Sequence, residues 1–265
     1  MTDLPDICVV ILTRNEASVI ERCITSVPFA RKILVLDSGS SDDTCKIARN
    51  LGAQVIYHEW PGDFSRQRNI ADSYVDCPWI FHLDADETVT SEMAAEIKQF
   101  FASGDFEKFG VGRFPRKELI FGRWIEHGGW YPQHKPRLYR KGAGYWMSKV
   151  HEHLEVEGEV HTFTAPILHD SYRDVHTFIE KFNRYSSLDA EIAFAEGKHF
   201  SLLKLFFQPM ERFLGRYIIH KGYRDGFHGF VIASLIGLNY FMRYLKLWEK
   251  EYRTRSNDNN AVAER

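Results

Sequence analysis

Short apolar runs alternate with helix-length amphipathic segments along residues 7–101, and this alternation constrains the fold more than any other feature. The runs fall at residues 7–12, 33–36, 54–57 and 79–83, and segments 17–27, 42–50, 64–74 and 91–101 fit helices. Runs that are β-branched and apolar on both faces belong in the middle of a parallel sheet covered by helices on both sides. The first half therefore reads as α/β. Beyond residue 83 the pattern shifts to short extended pieces near 109–114, 136–139 and 151–156. The glycine- and aromatic-rich stretch "FGRWIEHGGWYPQHKPRLYRKGAGYW" around them suits a binding-site wall and an antiparallel packing layer equally well. From residue 175 helix returns, and "RSNDNNAVAER" reads as a loose tail.

At 265 residues, 44% hydrophobic and 26% charged, the chain can bury a large core, which excludes general disorder. A formal charge of -2 gives no reason to expect nucleic acid. The charge is uneven, however: ten Lys and Arg between Lys204 and Arg255 face four acids, a local +6 that suits an anionic lipid surface or acceptor. The apolar run at 230–242 is short of the roughly 20 residues a spanning helix needs. It is expected to lie at an interface, with Phe230, Leu238, Phe241, Leu245 and Trp248 as apolar contacts, or to pack in the core or against a second copy. Cys8, Cys23, Cys45 and Cys77 show no C-x-x-C spacing and read as buried thiols in a reducing compartment. The N-terminus lacks the basic region of a signal peptide, which points to the cytoplasmic side of a membrane.

In open parallel sheets ligands bind beyond the carboxyl ends of the strands. Three such ends carry polar groups here: Thr13-Arg14-Asn15-Glu16, Asp37-Ser38-Gly39-Ser40 and Asp84-Ala85-Asp86. Thr13 and Asn15 also suit turns or caps, Asp37 can accept from the backbone of "SGSSDDT", and Ser41 or Asp42 is placed to cap the next helix. Neither G-x-G-x-x-G nor G-x-x-x-x-G-K-[ST] is present, which disfavours a dehydrogenase-type site and P-loop ATP hydrolysis. Paired carboxylates suit a hard divalent cation, Mg²⁺ or Mn²⁺, that bridges to substrate phosphates. Asp86 is the better direct ligand, with Asp84 able to orient the sugar, a water or the ribose.

The segments "VVILTRNEASVIERCITSV", "ILVLDSGSSDDTCKIARNLGA", "GDFSRQRNIA" and "WIFHLDADE" resemble family 2 of the inverting, nucleotide-sugar-dependent glycosyltransferases, which have the GT-A fold. "PRLYRKG", "VHEHLEVEG", "ILHDSYRD" and "KFNRYSSLDA" resemble the lipopolysaccharide core β-1,4-glucosyltransferase subgroup. The resemblance implies a single Rossmann-like nucleotide-binding sheet, a mixed acceptor-binding region and a helical C-terminal extension. The GT-A domain would span 1–174, with residues 1–103 binding the nucleotide sugar and residues 104–174 the acceptor. A basic helical extension over 175–255 and a flexible tail over 256–265 would follow.

The resemblance further implies that Thr13, Asn15 and Glu16 border the nucleotide, that Asp37 binds the uracil-ribose region and that Asp63 helps read the base. Arg68 would meet the diphosphate or support the ribose pocket through a carboxylate, the alternative being a salt bridge tying helix to sheet. Asp84 and Asp86 carry the metal motif, and His169 is a third ligand or a pocket hydrogen-bonding residue, with Asp170 and Arg173 as its supports or a helix-start ion pair. Inverting transfer needs a base for the acceptor hydroxyl. Glu152, between His151 and His153, is the leading choice over Glu87, Glu126 and Glu155, although in an extended segment it points away from both histidines.

The implied reaction moves a hexose, glucose first, from a UDP-sugar to a heptose-containing inner-core acceptor. The enzyme would be peripheral on the cytoplasmic face of the inner membrane, with homo-oligomerisation open. The alternatives are another lipid-linked or polysaccharide acceptor, a nucleotidyltransferase (disfavoured because "TRNEASV" is not a glycine-rich basic loop) and a noncatalytic carbohydrate-binding adaptor.

Overall fold

A computed structural model describes residues 6–147, 153–156 and 158–263. The chain forms two compact units, Met1–Glu118 with Pro132–Ser171 and Leu119–Tyr131 with Tyr172–Arg265.

In the first unit, β1 (Ile7–Thr13), β2 (Lys32–Asp37), β3 (Gln54–Tyr57) and β4 (Trp79–Asp84) pair in parallel in the order β3-β2-β1-β4. Their intervening helices are α1 (Ile20–Thr25), α2 (Thr44–Asn50) and α3 (Phe64–Ser73). Val9, Ile11, Val35, Phe81 and Leu83 bury one sheet face against Ile20 and Cys23 of α1 and against Met93 and Ile97 of α4 (Ser91–Ala102). Val10, Leu34, Leu36 and Ile80 bury the other face in a cluster with Ala71 and Val75. Covered on both faces, these strands need the unbroken apolar runs that the sequence shows.

Beyond β4 the sheet turns antiparallel. It continues through β8 (Gln133–Arg140), β6 (Phe109–Ile120), β12 (Ile167–Tyr172) and β5 (Glu87–Val89), while β11 (Glu159–Thr162) joins β6 in parallel. A separate hairpin pairs β9 (Gly144–Met147) with β10 (His153–Val156). The architecture is α/β, a mixed sheet covered by helices, with a helical C-terminal region.

The second unit comprises the short strand β7 (Arg123–Ile125), α5 (Val175–Ala195), α6 (Leu202–Leu214), a π-turn over Gly215–Ile219, a 3₁₀ turn over Gly222–Asp225 and the long α7 (Gly226–Ala263). Side-chain caps start two of these helices: Asp174 accepts from the Thr177 amide at 2.7 Å, and Ser201 from the Lys204 amide at 3.5 Å. Ile232 and Ile236 of α7 pack with Phe178, Ile120 and Ile125, and Tyr244 and Leu247 pack with Ala190, Ala193 and Leu205.

Three sequence expectations change. Cys8 and Cys77 form a disulfide with Cα atoms 5.6 Å apart, leaving Cys23 and Cys45 as thiols. The partners are 69 residues apart and meet because β1 and β4 are neighbours, a proximity that no short spacing can signal. Helix α7 continues to Ala263, through the stretch read as a loose tail, because extending a helix already nucleated on a packed core costs little. The run at 230–242 is also not an isolated short segment. Gly222–Thr254 is long and apolar enough to cross a membrane by length and composition, with 39% of its most apolar window buried inside the protein.

The start of α7 depends on glycine. A Cβ at Gly229 would lie 1.8 Å from the Gly222 carbonyl oxygen, and one at Gly222 would lie 2.7 Å from the Arg216 carbonyl oxygen. Both obstacles are backbone and cannot rotate away. Gly229→Ala should destabilise the protein by at least about 1–3 kcal/mol, the range for overpacking, read as a lower urea midpoint. An unchanged midpoint would refute this close approach.

Candidate active site

The parallel registers place three polar strand ends side by side, with Thr13 opposite Asp37 and Leu12 opposite Asp84. The groups there differ in how fully they are satisfied. Asp37 Oδ2 accepts from the Gly39 and Ser40 amides, each at 2.9 Å, and its Oδ1 accepts from the Ser40 hydroxyl. Asn15 sits at φ 57°, in the left-handed region that Asn tolerates, and its Oδ1 accepts from the Ser41 amide at 2.8 Å. The Glu16 amide donates to Thr44 Oγ1 at 2.8 Å, and the Glu16 carbonyl accepts from Val19 and Ile20 at the start of α1. Asp42, not a cap in the simple sense, accepts from the Ala17 and Thr44 amides; the Thr44 hydroxyl bond leads the effects that lower its pKa. Asp63 caps α3 by accepting from the Arg66 amide at 3.2 Å.

By contrast, the buried atoms Thr13 Oγ1, Gln67 Oε1 and Arg137 Nε have no hydrogen-bond partner among the described residues. Gln67 Nε2 donates to Ser38 Oγ at 3.0 Å, which holds it beside the Asp37 turn.

Asp84 is clamped. Arg68 Nη2 donates to its Oδ1 at 2.6 Å and Arg137 Nη2 to its Oδ2 at 2.8 Å. Burial opposes ionisation of Asp84, but Arg137 and Arg68 outweigh it and hold its pKa well below the usual carboxylate range. Arg68 itself is buried beneath Trp146, with its guanidinium 4.7 Å from the ring centroid. The Arg68–Asp84 ion pair links α3 to the end of β4, as the salt-bridge reading expected, and it is also the carboxylate contact through which Arg68 would support a ribose pocket. Asp84 accepts from both arginines, and its side chain is still 30% exposed at the strand end beside Asp86.

Asp86 and His169 are neighbours, with His169 Nε2 3.3 Å from Asp86 Oδ2. His169 Nδ1 lies 2.5 Å from Glu118 Oε2, and Glu118 Oε1 accepts from Arg116 Nε at 2.7 Å. Burial disfavours the imidazolium, yet Asp86 and Glu118 on either side raise the His169 pKa to about 10. Burial also disfavours the Glu118 carboxylate, but His169 and then Arg116 bring its pKa down to about 2. Arg116 and Arg137 both reach Glu87 Oε1, at 3.5 and 2.6 Å, and the Asp84 amide donates to Glu87 Oε2 at 3.0 Å. Asp170 accepts from Arg22 at 3.2 Å, and its amide donates to the Asp86 carbonyl at 3.0 Å, fixing the turn that carries Asp86.

A carboxylate and an imidazole side by side, one braced by a second carboxylate, are donor types that would suit a divalent cation.

Of the carboxylates considered for the base, Glu152 lies outside the described residues, as does His151 beside it. Among the rivals, Glu87 is fully buried in arginine contacts, which removes it, whereas Glu126 and Glu155 are exposed. Sequence reasoning missed Arg116, Glu118 and Arg137. Arg116 and Glu118 stand two apart in β6 and therefore share a face, which was the available signal. Arg137 was visible only as a letter within "PRLYRKG".

The carboxylates and arginines gathered at the carboxyl ends of parallel strands place the site where open α/β sheets bind ligands. The glycosyl transferase family 2 profile matches residues 8–150, and the chain belongs to that family. An uncharacterised glycosyltransferase of Rickettsia felis is 31% identical over 90% of this chain and 88% of its own length. The lipopolysaccharide core biosynthesis glycosyltransferase LpsC of Rhizobium meliloti is 28% identical over 96% of each chain. Similar solved structures include S. aureus TarS (16% identity, TM-score 0.45, 88% of this chain and 54% of that one). Another is glucosyl-3-phosphoglycerate synthase of Mycobacterium tuberculosis with Mn²⁺ and UDP (20% identity, TM-score 0.35, 44% of this chain and 45% of that one).

The His169 proton gives a pH signature. A pKa raised from 6.5 to about 10 contributes stability that is fully present below the unfolded value and is lost as pH rises through the folded one. In EDTA, urea stability should therefore fall from about pH 6.5 to about pH 10. Glu118→Gln, which removes one of the two flanking charges, should move that fall to lower pH. A flat wild-type profile across the window would show that His169 is not held protonated.

Proposed function

We propose that this glycosyltransferase moves a hexose, glucose by preference, from a UDP-sugar to a heptose-containing inner-core acceptor of lipopolysaccharide or lipooligosaccharide, with inversion to a β linkage. The observation that carries the donor half is the Asp86–His169 pair at the carboxyl end of β4 in a family 2 chain. The acceptor half rests on the full-length similarity to LpsC. The same similarity supports work on a lipid-linked acceptor at the cytoplasmic face of the inner membrane.

In this reading Thr13, Asn15, Glu16, Asp37 and Asp63 border the nucleotide, and the unsatisfied Thr13 hydroxyl and Gln67 carbonyl supply polar groups for it. Asp86 and His169 hold Mg²⁺ or Mn²⁺, which when bound neutralises charge on the departing diphosphate. Arg68 and Arg137 keep Asp84 ionised and oriented at the edge of that site. Glu152 takes the proton from the acceptor hydroxyl as its oxygen bonds to the anomeric carbon, while the bond from that carbon to the phosphate oxygen breaks and its electron pair leaves with UDP. Attack opposite the leaving group converts an α-linked donor into a β-linked product.

Calorimetric titration with UDP in Mn²⁺, Mg²⁺ and EDTA tests the donor site. Binding should require metal and weaken by about a hundredfold or more in Asp86→Ala, in line with losses at metal sites. Glu152→Gln should keep UDP binding and lose about 10²–10⁴ in turnover. Metal-independent UDP binding, unchanged in Asp86→Ala, would sink the metal assignment, and near-normal turnover in Glu152→Gln would sink the base. Oligosaccharide binding with neither UDP binding nor transfer would favour a noncatalytic adaptor.

A further inference from the structure

Helix α6 carries an uncovered apolar face. Leu202, Leu203, Phe206, Phe207, Met210 and Leu214 are each between 45 and 71% exposed, and at about 100° per residue they share one arc of roughly 140°. The opposite side of α6 is the packed one: Leu205 is buried with Tyr244 and Leu247, and the Pro209 carbonyl oxygen lies 3.0 Å from where a Cβ on Gly237 of α7 would be. The exposed arc is therefore what remains after the helix has made its contacts within its own unit. The π-turn and the start of α7 extend the apolar surface, with Ile219 74% and Phe227 76% exposed. Soluble monomers rarely display so many large apolar side chains together.

The charged residues around this surface are mostly of one sign. Lys204, Arg212, Lys221 and Arg224 are exposed along 202–230, against Glu211 as the exposed acid. The other acid in the stretch, Asp225, is buried and accepts from the His127 amide at 2.8 Å. Large apolar side chains with interspersed cations suit an anionic bilayer surface, where the apolar groups enter the acyl boundary and the cations meet headgroup phosphates. A second copy of the chain fits less well, since self-pairing would bring like charges together.

We infer that α6, the π-turn and the start of α7 form a monotopic docking surface for an anionic phospholipid bilayer. The sequence alone had suggested Phe230, Leu238, Phe241, Leu245 and Trp248 of α7 as the apolar contacts, and α6 adds a larger exposed face to them. This docking surface deepens the proposed lipid-linked acceptor reading, but its physical basis is independent of the transfer reaction.

The test uses the purified full chain, sedimented with phosphatidylcholine vesicles with and without phosphatidylglycerol. Wild type should sediment with the anionic vesicles and be released by salt. Phe206→Ser/Phe207→Ser should abolish sedimentation, and Lys221→Glu/Arg224→Glu should weaken it by about tenfold or more. All four positions are exposed, so melting temperature and UDP titration should match wild type. Retained UDP binding with lost vesicle binding keeps this inference separate from the donor reading. Failure to bind vesicles, or equal binding to neutral and anionic ones, would overturn it. So would self-association that the phenylalanine variant abolishes without any vesicle binding, which would make a second copy the occupant. Resistance to salt and carbonate with release only by detergent would overturn it in favour of α7 crossing the bilayer.

Discussion

The candidate site depends on one chain of alternating charge: Arg68, Asp84, Arg137, Glu87, Arg116, Glu118, His169 and Asp86, each in contact with the next. Removing so many ions from water costs several kcal/mol apiece, which is recovered only when every member has its partners in place. The members come from α3, β4, β8, β5, β6, β12 and the turn after β4, so the chain ties the parallel half of the sheet to the antiparallel half. With His169 protonated, the four cations balance the four anions. Loss of that proton leaves one excess negative charge at the Asp86 end, the condition that favours a cation there. The shifts of Glu118 and His169 in opposite directions are two views of the same balance.

The parallel half was legible in the sequence because its strands are buried on both faces, which forces continuous apolar runs. Strand ends were legible for the same reason: the first polar residue after such a run must sit at the sheet edge, as Thr13, Asp37 and Asp84 do. Side-chain partners were less legible. The Asp37 bonds to the backbone of its own turn were foreseen, whereas the role of Asp63 as the cap of α3 was not. Arg116, Glu118 and Arg137 lie in antiparallel strands whose pairing spans dozens of residues, so nothing local announces that they converge on Asp84 and His169. The Cys8–Cys77 pair was missed for the same cause.

The helical unit failed to read in a different way. Its most hydrophobic run, 230–242, is divided, with Ile232, Ala233 and Ile236 buried and Phe230 and Leu238 exposed. The exposed apolar arc lies on α6, whose Lys204, Glu211 and Arg212 dilute its mean hydropathy while leaving one side wholly apolar. Periodicity, rather than average hydrophobicity, was the signal there.

One physical rule applies to both units. A buried polar atom without a partner costs about 1–3 kcal/mol, and an uncovered apolar face forgoes about 25 cal/mol for each Å² left in water. Among the described residues, the unit with the family 2 site leaves Thr13 Oγ1, His58 Nδ1, Gln67 Oε1 and Arg137 Nε without a hydrogen-bond partner, and the helical unit leaves Trp130 Nε1 and Asn239 Oδ1 so. The helical unit also leaves the outer face of α6 bare. In a fold that otherwise pairs eight charges in sequence, the lapses at Thr13 and Gln67 fall where the proposed donor would bind, and the bare face of α6 falls where the proposed bilayer would. The chemistry fits in both places: hydrogen-bonding groups at the strand ends suit a nucleotide, and an apolar face among cations suits a bilayer.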